Sequence, residues 1–143
     1  MLKIDELEFA YDAHQVINGF SFESHSGEVI GVVGPNGCGK TTLFRLIIGA
    51  YKPSKGTIFI NGQNIDQLSS LDRSELLAYV PQNPDSPQGF TVGELVMMGR
   101  NPYLSLINWG NPEDFVIVEK ALLKTGLTDY IDRPLDHLSG GEL

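Results

Sequence analysis

Residues 34–41, GPNGCGKT, constrain the fold of this chain more than any other part of its sequence. They match G-x-x-x-x-G-K-[ST], the pattern of a loop that cradles phosphate groups. Its glycines let the backbone curl so that successive N–H groups point at phosphate oxygens. A helix that begins directly after the loop adds unpaired N–H donors and the positive end of its dipole. The pattern therefore predicts a strand, this loop and a helix, in that order.

The residues on both sides of the loop fit that order. Residues 28–33, EVIGVV, form an apolar run between turn residues, which predicts a buried and parallel strand. Residues 41–50 carry leucines and isoleucines on one side and predict a helix. A chance match to the motif is expected in on the order of one per cent of chains of this length. We therefore predict a phosphate site for ATP.

The chemistry of such a loop gives its side chains definite roles. We expect Lys40 to reach the β- and γ-phosphates and the Thr41 hydroxyl to bind Mg²⁺. The residues of the loop and the start of the helix that are predicted to contact ATP are Gly34, Pro35, Asn36, Gly37, Cys38, Gly39, Lys40, Thr41 and Thr42. The motif alone leaves the use made of the nucleotide open, since kinases, GTPases, helicases and transport ATPases all carry it.

The rest of the chain falls into a β-rich part and a helical part. Thr91 and Glu94 form a capping-box pattern for a helix ending near Met98, and Asn111 with Pro112 begins another that ends at Gly126. The remaining predicted elements are strands over 2–11, 20–22, 57–60 and 78–80, a turn at 61–62 and a helix over 70–77. We predict a β-rich core part over 1–82, a loop over 83–89, a helical subdomain over 90–137 and the start of another helix at 138–143.

Net charge and cysteine content limit which kinds of partner and which cellular compartment are expected. The formal net charge of −8 argues against a nucleic-acid partner, because proteins that grip duplex DNA usually carry a basic face. Cys38 is the single cysteine, so no internal disulfide forms, as is typical of a reducing compartment. No run approaches the roughly 18 apolar residues that a membrane helix needs. Any role at a membrane must therefore come through a partner.

The segment LSGGE at residues 138–142 resembles the LSGGQ motif of ABC ATPases, with Glu in place of the commoner Gln. A five-residue match is weak alone, but it follows a phosphate loop and a helical segment, as in that family. The resemblance implies a head-to-tail dimer in which this motif completes the ATP site of the opposite subunit. The residues that would contact the partner's ATP are Ser139, Gly140, Gly141 and Glu142.

Two further positions match the same family. Residues 79–82, YVPQ, resemble the strand that enters the Q-loop, which implies that Gln82 touches Mg²⁺ or the attacking water and acts in catalysis with Lys40. Tyr11 resembles the aromatic residue that stacks on adenine, with Val16 packed beside the base. Without the other motifs, Gln82 would be read as a residue of a surface loop and Tyr11 as an ordinary strand aromatic.

Residues 89–104 resemble the subgroup that serves ferric-siderophore, haem and cobalamin importers. This resemblance implies integral-membrane permease partners, a second copy of the chain, and a place on the cytoplasmic face of the membrane. It also implies an α/β fold: a P-loop NTPase core with an N-terminal antiparallel β subdomain and a helical subdomain. The family's second acidic motif, catalytic glutamate and switch histidine have no match here. We therefore expect a C-terminally incomplete domain, inactive as an ATPase on its own.

Two alternatives stay open at this stage. The first is a soluble ABC ATPase of the DNA-repair or cluster-assembly type, which works without a membrane partner. The second is a small P-loop kinase that phosphorylates a metabolite, which would have an acceptor pocket and no role for residues 138–142. Fold-level likeness alone does not choose among them.

Overall fold

Two long strands that pair as a hairpin frame the first part of the molecule. The computed structural model describes residues 1–82, 88–104 and 111–138, and the chain divides into two units, Met1–Tyr79 and Val80–Leu143. In the first unit, β1 (Leu2–Tyr11) and β2 (His14–Ser24) run antiparallel. The hairpin places the end of β1 directly opposite the start of β2.

A third and a fourth strand extend this sheet on the other side of β1. Strand β3 (Lys55–Ile60) pairs antiparallel with β1, and the short β4 (Gln63–Asn64) pairs with β3, which gives the order β2-β1-β3-β4. The turn between β3 and β4 is Asn61-Gly62, with φ of 49° and 80°. These are the conformations that a tight hairpin turn requires. The predicted strands over 2–11, 20–22 and 57–60, and the predicted turn, are confirmed.

Helix α1 (Lys40–Ile47) closes the core of the first unit against the sheet. The predicted helix is confirmed but ends earlier than residue 50, because Gly49 takes a left-handed φ of 73°. Each fully buried aliphatic side chain contributes about 1.5–3 kcal/mol. The buried core residues are Ile4, Leu7, Ile17, Leu43, Leu46, Ile58, Ile60 and Ile65.

Two predicted strands are wrong. Residues 28–33 and 78–80 form no strand, and the side chains of Val29 and Val33 are 99% and 95% exposed. Their apolar composition favours burial, but a strand also needs a neighbour for its backbone N–H and C=O groups. The sheet described in this unit has no strand beside either segment. The helix predicted over 70–77 is confirmed as α2 (Ser70–Leu76).

In the described part of the second unit, the ends of two α-helices were predicted correctly. Helix α3 (Val92–Met98) begins at the capping box of Thr91 and Glu94. Helix α4 (Pro112–Thr125) has Asn111 at its N-cap and ends at a left-handed Gly126. The buried core of the second unit includes Val92, Val118, Leu122 and Leu135.

The first turn of α3 is tied to a later segment of the same unit. The backbone N–H of Val92 donates to the carbonyl of Arg133 at 3.0 Å, and that of Gly93 to the carbonyl of Ile131 at 2.8 Å. A Cβ atom at Gly93 would lie 2.8 Å from Ile131 Cγ1, so only glycine allows this approach without a shift. The N-terminus of α3 is thereby fixed to residues 131–133.

A buried ion pair joins the end of α3 to the start of α4. Arg100 Nε donates to Asp114 Oδ1 at 2.9 Å, and the Asp114 side chain is only 5% exposed. The Arg100 guanidinium also lies 4.3 Å from the ring centre of Tyr103. The other carboxylate oxygen of Asp114 has no hydrogen-bond partner among the described residues. Sequence patterns gave no sign of this pair.

Candidate functional site

The glycine loop runs from residue 34 to the first residue of α1. Gly37 and Gly39 have φ of 83° and 98°, a region that side-chain-bearing residues rarely adopt. Gly39 is also close to β2, because a Cβ atom there would lie 2.9 Å from Val16 Cγ1. Both glycines therefore shape the loop, and Gly39 also allows its close contact with Val16 of β2.

Lys40 joins the beginning of this loop to its end. Its Nζ donates to the carbonyl oxygens of Gly34 at 2.7 Å and Pro35 at 2.8 Å, and lies 3.8 Å from Cys38 Sγ. The ammonium group is thus held at the loop backbone. A polyphosphate that binds here has to compete with two neutral carbonyls for this cation, and its own charge favours it in that exchange.

The N-terminus of α1 has no side-chain cap. Gly39 occupies the N-cap position and the first turn contains no acidic residue. The unpaired N–H groups of this turn are therefore available to an anion, and the helix dipole favours negative charge there. Thr41 in this turn is exposed, whereas the next residue, Thr42, is buried.

A cavity of about 530 Å³ opens between the loop and β2. The single thiol of the chain, Cys38, lies at its wall and is exposed. The cavity is lined by Val16, Ile17, Asn18, Gly19, Phe20, Ser21, Val32, Val33, Cys38, Gly39, Lys40 and Leu43. Its wall therefore combines apolar strand side chains with the cationic loop.

Tyr11 lies at the end of β1 and reaches the first turn of α1. Its hydroxyl lies 3.3 Å from the Thr42 hydroxyl, and the residue is 42% exposed. The hydrogen bond with Thr42 is the main reason that the pKa of Tyr11 lies below its ordinary value, with Tyr51 and the Arg45 charge acting in the same direction. The structure therefore brings Tyr11 to the same helix that ends the glycine loop.

Two residues beside Tyr11 were missed by sequence reasoning. The ring of Tyr51 meets that of Tyr11 at right angles with centroids 5.8 Å apart, and Arg45 donates to the Tyr51 hydroxyl at 2.8 Å. A single tyrosine after a helix and an arginine on its exposed side carry no sequence pattern that points to a site. Only the return of the chain past β1 brings them to Tyr11.

The remaining predicted site residues are placed differently. Gln82 is exposed and belongs to the second unit. Residues 83–87 of the predicted loop lie outside the described residues, as do Ser139, Gly140, Gly141 and Glu142. Their predicted roles stay predictions.

The described geometry suits a ligand with two chemically different ends. The loop and the first turn of α1 offer N–H donors and a lysine for a polyphosphate, and the exposed ring of Tyr11 offers an aromatic face for a base. Because Tyr11 is hydrogen-bonded to Thr42, the aromatic face and the N–H donors both lie at the first turn of α1. A nucleoside triphosphate has this combination of groups.

Comparison with known proteins agrees with this geometry. The profile of the family described as ABC transporter matches residues 17–143. The achromobactin transport ATP-binding protein CbrD of Dickeya dadantii is 37% identical over 96% of this chain and 51% of its own length. The iron(3+)-hydroxamate import ATP-binding protein FhuC of Bacillus subtilis is 34% identical over 99% of this chain and 52% of its own length. The chain thus spans about half the length of these curated relatives.

The fold is shared with solved structures as well. CbiO1 from Clostridium perfringens, part of the ABC transporter complex cbiONQ, superposes with a TM-score of 0.77 at 33% sequence identity. The match covers 99% of this chain and 56% of that one. The predicted fold class, an α/β P-loop core with an antiparallel β part and a helical part, is confirmed by this similarity.

Proposed function

This chain belongs to the ABC transporter family, and from that premise we propose that it is the ATP-binding part of an importer subunit. In the whole protein, ATP hydrolysis would drive uptake of ferric siderophores, haem or cobalamin. The observation that carries the proposal is the contact of Tyr11 with α1, the helix that begins at Lys40. The base and the phosphates of one nucleotide would then both contact residues at this helix. The relatives named for achromobactin and iron(3+)-hydroxamate support the cargo class.

The loop residues bind and orient the triphosphate in this proposal. Lys40 exchanges the carbonyls of Gly34 and Pro35 for β- and γ-phosphate oxygens, which are stronger acceptors because they are charged. The N–H groups of the loop and of the first turn of α1 complete the cradle. Tyr11 and Val16 hold the base end.

The two residues proposed as ligands of Mg²⁺ carry donor atoms of the kind that this ion prefers. The ion prefers oxygen ligands, and the hydroxyl of Thr41 and the side-chain carbonyl of Gln82 are both oxygen donors on exposed residues. When bound, Mg²⁺ neutralises charge on the phosphate oxygens. Gln82 would also orient the attacking water.

Dimerisation and membrane attachment complete the proposal. Residues 139–142 would contact ATP held by a second copy of the chain, with the Ser139 hydroxyl and the glycine N–H groups facing its γ-phosphate. Permease subunits would hold the protein at the cytoplasmic face of the membrane. In the described ranges no helix is both long and apolar enough to cross a bilayer.

The proposed phosphate site is tested by Lys40→Ala. Removing the ammonium group should weaken Mg·ATP binding about ten- to a hundredfold, since hydrogen bonds to charged groups contribute about 1.5–3 kcal/mol. Calorimetry on the full-length protein measures this. Lys52→Ala, at an exposed lysine outside the loop, is the matched control and should leave the affinity unchanged. Equal affinity of the Lys40 variant and the wild type would contradict the site.

The importer role is tested by its partners. Co-purification with two integral-membrane subunits would support it. Co-purification with DNA or with scaffold proteins, and none with membrane subunits, would favour the soluble ABC ATPase instead. Membership of the ABC family argues against the small P-loop kinase.

A further inference from the structure

Three aromatic rings surround the point where β1 meets α1. Phe9 and Tyr51 are stacked, with centroids 5.5 Å apart and planes 6° from parallel. Tyr11 meets both at right angles, with its centroid 4.9 Å from that of Phe9 and 5.8 Å from that of Tyr51. Perpendicular pairs at these distances are attractive because the positive edge of one ring meets the negative face of another. The plane of the Tyr11 ring is therefore set by its two neighbours.

Tyr51 is held more firmly than a surface tyrosine. Its hydroxyl accepts a hydrogen bond from Arg45 Nη1 at 2.8 Å, and its backbone N–H donates to the carbonyl of the same Arg45 at 3.2 Å. The guanidinium carbon also lies 5.6 Å from the centre of the Tyr51 ring. Because Arg45 belongs to α1, these bonds tie Tyr51 to the C-terminal end of that helix.

Tyr11 is consequently contacted from both ends of α1. Its hydroxyl meets Thr42 in the first turn, and its ring meets Tyr51 just beyond the last turn. Without these contacts, the side chain of a residue that is 42% exposed would be free to change rotamer. A stacking platform binds a base more tightly when its orientation is fixed in advance.

We propose that Tyr51, anchored by Arg45, is a positioning residue that fixes the ring of Tyr11 for stacking on the nucleotide base. The inference rests on the proposed function in one respect, namely that Tyr11 faces the base. It adds that affinity for the base is set from the C-terminal end of α1, while the N-terminal end of the same helix binds the phosphates. Tyr51 acts through Tyr11 and need not touch the nucleotide.

The test separates the base from the phosphates by measuring Mg·ATP and magnesium tripolyphosphate binding to the full-length protein by calorimetry. An edge-to-face aromatic pair contributes about 0.5–1.5 kcal/mol, which corresponds to about two- to tenfold in affinity. Tyr51→Leu should weaken ATP binding by that factor and leave tripolyphosphate binding unchanged. Tyr51→Phe keeps the ring and should restore most of the ATP affinity. An equal loss for both ligands would mean a general structural role and would overturn the proposal.

A double-mutant cycle asks whether Tyr51 acts through Tyr11. In a Tyr11→Leu background, Tyr51→Leu should cause no further loss of ATP affinity, since the ring that it positions is gone. Additive losses would overturn the inference. Arg45→Met, at an exposed position, removes the anchor of Tyr51 together with a positive charge near Tyr11, and should weaken ATP binding about twofold. This result keeps the test valid if Tyr51→Leu folds poorly.

Two controls complete the design. Phe22→Leu removes a half-buried aromatic ring outside the cluster and should leave both affinities unchanged. Lys40→Ala reports on the proposed function separately, because it should weaken both ligands. Loss of both ligands in that variant, together with no ATP-selective effect at Tyr51, would sink the inference and leave the nucleotide site standing.

Discussion

Two apolar segments of the first unit have opposite fates. Strand β3 carries Ile58 and Ile60, which are 1% and 6% exposed and lie in the core beside β1. Residues 28–33 are at least as apolar, yet Val29 and Val33 are almost fully exposed and no strand lies beside them in the described sheet. Burial is therefore not a property of a segment alone, because it depends on the neighbour that accepts its backbone hydrogen bonds.

The difference has an energetic side. Strand β3 gains the ladder bonds with β1 and the burial of its side chains in the core of the unit. Residues 28–33 instead leave several apolar side chains in water, at a cost of about 25 cal/mol for each Å². Exposed apolar runs of this kind favour association with another surface. The comparison therefore predicts different responses to mutation in the two segments.

The largest effect is expected for Ile58→Ala. Removing a fully buried isoleucine side chain should lower the free energy of unfolding of the polypeptide 1–143 by about 3–4 kcal/mol, from lost transfer energy and the cavity left behind. Urea denaturation followed by circular dichroism measures it. The matched change Val29→Ala, at a side chain that is 99% exposed, should cost no more than about 0.5 kcal/mol.

The same two variants can be compared in a longer polypeptide, one that has the length of the curated relatives. If further residues cover the segment there, Val29→Ala should cost about 1 kcal/mol or more, while the cost of Ile58→Ala should stay the same. Comparable costs at the two positions already in 1–143 would break the contrast, since they would mean that residues 28–33 are covered in that polypeptide.

A charged group in the second unit gives an intermediate effect. Asp114 is as buried as Ile58 and Ile60 of β3. Its carboxylate is paired by Arg100, as the backbone of β3 is paired by β1. Arg100→Met leaves that carboxylate buried without its counter-ion and should destabilise the unit by about 3 kcal/mol. Lys120→Met, at an exposed lysine of α4, should be neutral within about 0.5 kcal/mol. A neutral Arg100→Met variant would show that Asp114 reaches water or another partner.

The smallest effect is a pH dependence at the start of α3. The pKa of Glu94 lies below its ordinary value because it accepts hydrogen bonds from the Thr91 backbone N–H and hydroxyl. A lowered pKa in the folded state means that the stabilisation is present above the pKa of a glutamate in the unfolded chain, about 4.3. It is lost as the pH falls through the folded value.

Glu94→Gln should therefore abolish a small acid-induced loss of stability. The wild type should lose more stability than this variant as the pH is lowered from about 5 to about 3, as measured by thermal unfolding at each pH. Glu119→Gln, at an exposed glutamate of α4, serves as the comparison. Parallel pH profiles for the wild type and Glu94→Gln would mean that the capping bonds do not form in solution.

Local signals predicted the local structure well. The caps at Thr91 and Asn111, the left-handed Gly126 and the Asn61-Gly62 turn were all readable, since each depends on residues that are neighbours in the chain. The confirmed family and fold rested on motifs of the same short-range kind.

What depends on distant partners was not readable. The composition of residues 28–33 favours a strand, but it carries no information on which other strand would pair with that segment. Tyr51 meets Tyr11 only because the chain returns past β1, and the buried Asp114 is paired only because Arg100, two residues after the end of α3, lies beside it. These are pairwise facts, and the pattern around one partner does not reveal the other.

The bonds of Lys40 to the two loop carbonyls have a consequence for the entropy of ligand binding. Ordering a lysine side chain costs up to about 2 kcal/mol of rotamer freedom. Here that freedom is already restricted by the bonds to Gly34 and Pro35. When phosphate binds, the ammonium group exchanges these carbonyl acceptors for phosphate oxygens. The lysine's share of binding should therefore be mainly electrostatic, weakened by salt and little affected by conformational ordering.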